Sequence, residues 1–164
     1  MNLSLFNTSL LGVIVVVSPA YAISTQDFVQ TASIANEFEI ESSQLALEKS
    51  QNSDVKKFAQ RMVDDHTKTG EKMKEVLSSS DMKVKPADKL DNKHQKMLEK
   101  LKSASNDNFD RQYVSIQNEA HREAVDLFDS YSKSGKDIKL KGFASETLPT
   151  LKEHLEHVEQ LKTN

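Results

Sequence analysis

The chain contains no cysteine among its 164 residues. This absence excludes disulfide bonds, a lipid anchor attached to cysteine, thiolate metal ligands and a cysteine nucleophile. The folded chain must therefore be stabilised by packing alone.

Residues that break helices are scarce, since only 4 glycines and 3 prolines occur. The sequence also lacks internal repeats, low-complexity tracts and the period-two alternation of apolar and polar residues that is typical of strands. Long helices can run without interruption in such a chain. The composition therefore favours an all-α fold.

An excess of either charge is also missing, because 22 basic and 25 acidic residues are interspersed and leave a net charge of −3. No basic surface for nucleic acid is expected. The sequence shows no glycine-rich phosphate loop, no nucleophile elbow and no paired catalytic carboxylates. We therefore predict no nucleic-acid partner and no organic cofactor, and no motif establishes an enzyme class.

The N-terminal segment resembles a signal peptide. An apolar run at residues 10–17 is followed by Ala-Tyr-Ala at residues 20–22, the small-x-small pattern that signal peptidase cleaves. We predict a signal peptide at 1–22, one domain at 23–164, export to the periplasm and no membrane insertion after cleavage. The run follows no Lys or Arg, which leaves a retained membrane anchor as the alternative, although the run is short for a bilayer span.

Apolar residues recur at helical spacing through the rest of the chain. They predict four long helices near residues 25–51, 53–79, 105–134 and 137–162, and a shorter helix at 88–102 that crosses over between two hairpins. The expected product is an antiparallel four-helix bundle with an additional short helix.

Three local features predict where helices begin, end or bend. Ser53 is the expected N-terminal cap of the second long helix. Gly135 is expected to end the fourth predicted helix in the left-handed conformation. Pro149 predicts a kink or a restart near Thr147, because proline removes a backbone donor and clashes with the preceding turn.

Three histidines occupy places where apolar residues are expected. His66, His121 and His154 lie on or beside the apolar stripes of three different helices. Glu39 lies on the inner side of the first helix, about as far before its turn as His66 lies after it, so the two side chains are expected to touch. His154 lies about four residues further from its turn than His121, which predicts an offset of roughly 6 Å.

Three imidazoles and one carboxylate would form a site suited to a single ion of Zn, Fe, Mn or Cu. Asp65 and Glu123 flank the apolar stripes, and each is a candidate for orienting a ligand ring. None of the 5 histidines has a glutamate three residues before it, which disfavours the di-iron chemistry of bundle ferroxidases.

The alternative interpretation is that these histidines are structural. A buried histidine is usually satisfied by a carboxylate, a tyrosine hydroxyl or a backbone carbonyl, and Glu39, Tyr113 and Tyr131 are candidate partners. His94 lies on the short helix without an evident partner. His157 points away from the apolar stripe and is expected to be solvated.

The sequence resembles the exported ferritin-like proteins filed as domain of unknown function 4142. The resemblance covers nearly the whole chain after the signal segment, and it is carried by Phe38-Glu39-Ile40-Glu41 with Leu45-Ala46, by Phe58-Ala59-Gln60-Arg61-Met62-Val63-Asp64-Asp65-His66-Thr67, by Phe109-Asp110-Arg111-Gln112-Tyr113-Val114 with Ala120-His121, and by Phe143-Ala144, Leu148-Pro149-Thr150-Leu151 and His154-Leu155. It implies a ferritin-like four-helix bundle, usually periplasmic, without an assigned activity. In the family pattern, the residues that match Glu39, Asp65, His66, His121 and His154 recur.

Two functions follow as hypotheses. The first is an exported ferritin-like bundle that binds a metal through Glu39, His66, His121 and His154 and acts in envelope stress or metal handling. An enzyme of this kind would be a metal-dependent oxidoreductase that acts on a small oxygen species. The alternative is a non-catalytic interaction or stress-protection module with structural histidines. The sequence names no protein partner and is compatible with a homo-oligomer.

Overall fold

The computed structural model describes residues 23–80 and 83–163, and five α-helices account for most of them. They are α1 (Thr25–Lys49), α2 (Ser53–Ser78), α3 (Asn92–Ser103), α4 (Asn106–Ser134) and α5 (Ile138–Gln160). No strand occurs in these two ranges, which confirms the all-α prediction. The predicted signal peptide at 1–22 lies outside the described residues.

The four long helices pack as two antiparallel hairpins. Helix α1 packs on α2 and α4 packs on α5, while α1 also contacts α4 and α2 contacts α5. Tyr131 bonds to Thr25 near the start of α1, and Tyr113 bonds to Ser43 near its end, so α1 and α4 are antiparallel. Helices α2 and α4 therefore run in the same direction. The connection that contains α3 must return along the bundle, as the predicted crossover requires.

The apolar core consists of two layers that are separated along the bundle axis. The first apolar layer lies towards the α1–α2 turn and contains Phe38, Ala46, Val55, Phe58, Ala59, Met62, Leu90, Leu98, Leu101, Phe109, Tyr113, Ile116, Ala120 and Val158. The second apolar layer lies towards the α4–α5 turn and contains Phe28, Val29, Ala32, Met73, Leu77, Phe128, Tyr131, Leu140, Phe143, Ala144 and Leu151. The predicted histidines fall between these two layers.

Side-chain caps mark the starts of α1, α2, α3 and α5, whereas Ser105 makes no capping hydrogen bond at the start of α4. Two of the starts differ from the prediction. Asn52, not Ser53, caps α2, because its side-chain oxygen accepts from the backbone N–H groups of Asp54 at 2.9 Å and Val55 at 3.3 Å. Helix α3 begins at Asn92, later than the predicted residue 88, because the Asp91 carboxylate caps it. An asparagine or aspartate oxygen serves this role at least as well as serine.

The left-handed conformation predicted for Gly135 was wrong, and of the two outcomes predicted for Pro149 the restart is not seen. Gly135 follows α4 with φ −58°, which is not left-handed. A Cβ at this position would lie only 2.6 Å from the Tyr131 carbonyl oxygen, so close packing explains the glycine. Helix α5 continues through Pro149 without a restart at Thr147. Within the two described ranges, no helix combines the length and the apolar character needed to cross a membrane.

Candidate metal centre

The three predicted histidines meet in the middle of the bundle. His66 from α2, His121 from α4 and His154 from α5 are all buried, with at most 5% of each residue exposed. The ring centroids are 5.7 Å apart for His66 and His121, 5.5 Å for His66 and His154, and 5.4 Å for His121 and His154. One nitrogen from each ring lies within 4.8 Å of one nitrogen from each of the other two. The predicted offset between His121 and His154 does not separate their rings.

Glu39 is buried beside this histidine cluster. Its Oε1 lies 3.6 Å from Nδ1 of His121, a neighbour that the hairpin argument did not identify. Glu39 and His66 line the same small cavity, although no hydrogen bond joins them. The structure therefore brings all four predicted ligand residues to one level of the bundle.

Two of the rings are oriented by carbonyl oxygens. His66 Nδ1 lies 3.1 Å from the side-chain oxygen of Asn36, and His121 Nδ1 lies 2.9 Å from the backbone carbonyl oxygen of Gln117. A carbonyl oxygen can only accept, so both Nδ1 atoms must donate a hydrogen. In a neutral imidazole the opposite atom, Nε2, then carries a lone pair.

The third ring is oriented by a carboxylate. His154 Nε2 lies 3.0 Å from Oδ2 of Asp65. The same oxygen accepts a hydrogen bond from Arg61 Nε at 3.3 Å, and Arg61 also donates to Glu153 at 2.9 Å. The carboxylate can only accept, so Nε2 of His154 is the donor and Nδ1 carries the lone pair. Asp65 thus contacts a histidine, but it is His154 and not its neighbour in sequence.

The remaining nitrogen of each ring is buried and has no hydrogen-bond partner. These atoms are Nε2 of His66, Nε2 of His121 and Nδ1 of His154, and Oε2 of Glu39 is also unpartnered. All three nitrogens are acceptors, so they cannot satisfy one another. A buried acceptor without a donor costs about 1–3 kcal/mol. The cluster therefore offers several lone pairs to a cation or to a small proton donor.

A small cavity opens at this level of the bundle. It has a volume of about 20 Å³, which is enough for one water molecule or one metal ion. Glu39, His66 and His121 line it, whereas His154 does not. The full lining is Ala32, Ala35, Asn36, Glu39, His66, Thr69, His121, Ala124, Phe128 and Leu151.

Burial controls the protonation of the cluster. It lowers the pKa of His66 well below the usual value, and repulsion from His121 and His154 lowers it further. Burial likewise lowers the pKa of His121 to about 4. Burial raises the pKa of Glu39 to about 8, against a smaller opposite effect of the Gln117 side chain. Without a cation, the cluster at neutral pH therefore consists of neutral imidazoles beside a protonated carboxyl group.

In the pair formed by His154 and Asp65, burial and hydrogen bonding act in opposite directions on both pKa values. Burial lowers the pKa of His154, and the hydrogen bond to Asp65 works in the opposite direction. Partial burial raises the pKa of Asp65, but hydrogen bonds from His154 and Arg61 outweigh it and leave the pKa lowered. Asp65 is therefore ionised at neutral pH and holds the N–H of His154 towards itself.

Glu123 lies away from the cluster, contrary to its predicted role. Its carboxylate pairs with Lys93 at 2.5 Å, and 54% of the side chain is exposed. Two residues correspond to about 200° of helical rotation, so Glu123 and His121 lie on opposite sides of α4. Glu123 therefore orients no ring of the cluster.

The other two histidines have partners outside the cluster. His94 Nδ1 lies 2.7 Å from Asp91, the residue that caps α3, and this supplies the partner that the sequence did not reveal. His157 was predicted to be solvated, but it is half-buried, with its ring edge-on to Phe58 at a centroid distance of 5.2 Å. Long side chains beside a stripe often cover apolar surface in this way.

The candidate tyrosines do not satisfy the histidines. Tyr113 bonds to Ser43 at 2.8 Å, and the Tyr131 hydroxyl donates to Thr25 at 3.1 Å. The residues that do orient His66 and His121 are Asn36 and Gln117, and sequence reasoning missed both. The sequence did contain a signal for Gln117. In an α-helix, the backbone carbonyl four residues before a histidine lies one turn away on the same side, within reach of the ring.

Two solved structures are similar in fold to this chain. CopM in the Cu(II)-bound form has a TM-score of 0.72 and 19% sequence identity, and the alignment covers 85% of this chain and 96% of CopM. A DUF305 fragment from Deinococcus radiodurans has a TM-score of 0.69 and 16% identity, with 80% of this chain and 90% of that fragment covered. At these identities the likeness concerns the helical fold alone.

The sequence comparisons identify a family. No curated protein matches the sequence. Residues 16–161 match the family described as Domain of unknown function (DUF4142), a range that includes all five helices and the whole histidine cluster. The chain therefore belongs to the DUF4142 family.

Proposed function

We propose that this chain is an exported helical-bundle protein that binds one transition-metal ion through His66, His121 and His154, with Glu39 beside them. The observation that carries the proposal is the set of three buried imidazole nitrogens without hydrogen-bond partners. One cation can accept all three lone pairs at once. The proposal concerns metal binding and includes no catalytic step.

The surroundings of the rings support this proposal. Metal-bound histidines usually donate their other N–H to a carbonyl or a carboxylate, which fixes the ring and makes it a better ligand. Asn36, Gln117 and Asp65 do this for the three rings in turn. In a tetrahedral site with bonds of about 2.0 Å, ligand nitrogens lie ~3.3 Å apart. The nitrogens of the cluster lie within 4.8 Å of one another, so a contraction of at most about 1.5 Å brings them to this spacing.

Glu39 is the fourth group of the proposed site. Its burial raises the pKa to about 8, so the carboxyl group carries a proton at neutral pH when no cation is near. A cation beside it favours the ionised form. Metal binding should therefore release the Glu39 proton, and the affinity should increase with pH.

The ligand chemistry narrows the choice of ion without fixing it. Imidazole suits Zn, Cu and Fe, and Cu(II) generally binds most tightly among divalent first-row ions. The similar fold of CopM, whose solved structure holds Cu(II), supports including copper among the candidates. Metal handling or stress protection in the cell envelope is the proposed context. The signal-like sequence of residues 1–22 supports export, and the intact mass of the protein from native envelopes tests cleavage after Ala22.

The test is calorimetric titration of the metal-free protein with Zn, Mn, Fe(II) and Cu(II). We expect one ion per chain, and more than about 100-fold weaker binding when His66, His121 or His154 is replaced by glutamine. A second replacement within the cluster should cost little more, because the site is already broken. His157→Gln is the matched control, since His157 contacts Phe58 rather than the cluster.

Two results would contradict the proposal. The first is the absence of a site for any of these ions in the wild-type protein. The second is a site that survives His66→Gln with unchanged affinity. In either case the histidines are structural, and the function as an interaction or stress-protection module becomes the better explanation.

A further inference from the structure

A groove runs over the bundle surface beside the histidine cluster. It lies between α1, α2 and the segment that precedes α3, and its volume is about 280 Å³. Ser33 and Asn36 line it from α1, Thr67 and Gly70 from α2, and Pro86 and Ala87 from the connecting segment. The backbone N–H of Ala87 donates to the Ser33 hydroxyl at 2.8 Å, which fixes that wall of the groove.

Asn36 belongs to the walls of both the groove and the small cavity at the histidine cluster. Its side-chain oxygen accepts the hydrogen bond from His66, while its amide nitrogen lies on the side of Gly70. The Asn36 side chain therefore forms part of the partition between the solvent-facing groove and the buried nitrogens.

Gly70 lies so close to the Asn36 side chain that a larger residue at position 70 would contact it. A Cβ at residue 70 would lie 3.0 Å from Nδ2 of Asn36, closer than ordinary van der Waals contact. Any larger residue on this turn of α2 would press on the amide and restrict its rotation. The glycine thus leaves the Asn36 amide free of this contact.

The charges at the groove favour cations. Glu37 and Glu71 line it with exposed carboxylates, and Lys74 is the basic residue on the same wall. Carboxylates around a concave surface raise the local concentration of cations and their rate of association, and salt weakens this effect.

We propose that this groove is the entrance through which the metal ion reaches the buried cluster, and that Asn36 is its gate. The inference rests on the proposed metal site. When Asn36 turns away from His66, it opens the partition, and when it returns it holds the His66 ring in the orientation of a ligand. A gate of this kind changes the rates of uptake and release by the same factor and leaves the dissociation constant unchanged.

The test measures both rates for Zn²⁺ by stopped flow, with uptake followed by loss of Zn²⁺ from a chromophoric chelator and release followed by transfer to an excess of a stronger chelator. Gly70→Ala should slow both rates by about threefold or more while the dissociation constant stays within about twofold. Gly142→Ala is the matched control, because an added Cβ there meets nothing within 4 Å and the residue also lies in a helix.

A second variant separates a gate from a residue that only positions His66. Asn36→Ala removes part of the partition and also the hydrogen bond to His66. We expect faster uptake by about threefold or more, although the equilibrium affinity falls. A residue that only positions the ring would raise the release rate and leave uptake unchanged.

The outcomes distinguish this inference from the proposed function. If the wild type takes up none of Zn²⁺, Mn²⁺, Fe²⁺ and Cu²⁺ at equilibrium, the metal site itself is refuted and the entrance with it. If it takes up one of these ions but not Zn²⁺, the two rates are measured with that ion. If the wild type binds Zn²⁺ but Gly70→Ala behaves like Gly142→Ala and Asn36→Ala does not accelerate uptake, the entrance proposal is overturned. The side of the bundle at Asp65, which is half-buried between α2 and α5, would then be the route to examine.

Discussion

The histidine cluster and the two apolar layers share the four long helices, and α3 contributes only to the first apolar layer. The two kinds of region differ in how far their buried atoms find partners. In the second apolar layer, Phe28 is fully buried and stacks on Tyr131 at a centroid distance of 3.8 Å. Such a side chain stabilises the fold simply by leaving water. In the cluster, each ring has one paired nitrogen and one unpaired nitrogen, so its burial is only partly compensated.

This difference indicates which part of the core supports the fold and which part is available for binding. The apolar layers lie on both sides of the cluster and fix the spacing of the helices there. Burying polar groups without partners costs stability, and natural proteins keep such groups mainly where they serve a function. We therefore expect substitutions in the two regions to act in opposite ways on the metal-free protein.

The largest expected effect comes from shortening a buried aromatic side chain of an apolar layer, and it is compared with the replacement of a cluster histidine by an apolar residue. Phe28→Ala should destabilise the metal-free protein by about 3–5 kcal/mol, because it leaves a cavity under Tyr131. His121→Leu should change the stability by less than about 1 kcal/mol, or increase it, since it removes an unpaired acceptor at similar volume. Urea unfolding followed by circular dichroism measures both. Phe28→Leu, which leaves a smaller cavity, should fall between them.

A loss of several kcal/mol in His121→Leu would contradict this comparison. It would show that the ring is needed for packing even without an ion. The partner of His121 makes this outcome unexpected, because the Gln117 carbonyl is also the natural acceptor for a backbone N–H within α4.

The sequence was sufficient to predict most of the fold because apolar periodicity reports directly on burial. The four long helices and the crossover helix were placed within a few residues of their observed bounds. The errors concern the residues that cap the helices and the conformation of Gly135. The caps at Asn52 and Asp91 depend on which of several neighbouring polar residues turns back, and Gly135 depends on contact with Tyr131. Periodicity contains neither kind of information.

The cluster was predictable only in part. A histidine in an apolar stripe is visible in the sequence, and the three predicted rings do meet. The Gln117 carbonyl, four residues before His121 in the same helix, could have been predicted as a partner. The Asp65–His154 pair could not, since it depends on the rotation and level of each hairpin relative to the other. Asp65 bonds to His154 across the bundle, and Glu123, which looked equivalent in the sequence, lies on the outer face with Lys93.

A smaller effect concerns pH, and it sharpens the comparison because the cluster contains buried titratable groups whose pKa values shift in opposite directions. His66, His121 and His154 all have lowered pKa values in the fold, so the unfolded chain protonates at these histidines before the folded chain does as pH falls below about 6.5. Glu39 has a raised pKa of about 8, so the folded chain retains its proton while the unfolded chain loses it above about 4.5.

The signs of these shifts predict an optimum of stability for the metal-free protein between about pH 6.5 and 7. Below it, the three histidines of the cluster outweigh Glu39, and stability falls as pH falls. Above it, Glu39 alone acts, and stability should fall by about 2 kcal/mol as pH rises to 8. Melting temperatures measured in chelator from pH 5 to 8.5 check the curve. Glu39→Gln should abolish the alkaline decline and keep the acid one, whereas an alkaline decline that persists in this variant would show that Glu39 is not its cause.

The smallest expected effect separates two aspartate–histidine pairs that look alike. Asp65 bonds to His154 inside the cluster, and Asp91 bonds to His94 at the start of α3. Asp65→Asn keeps the size of the side chain but removes the charge that holds the His154 N–H, so we expect metal affinity to fall by about tenfold, or ~1.4 kcal/mol. Asp91→Asn is the matched control, because asparagine caps a helix as well as aspartate and His94 lies outside the cluster. Titration with the tightest-binding ion measures both variants. If Asp91→Asn weakened binding as much as Asp65→Asn, the loss would reflect a general effect of charge on the protein, and the special role of the His154–Asp65 pair would be refuted.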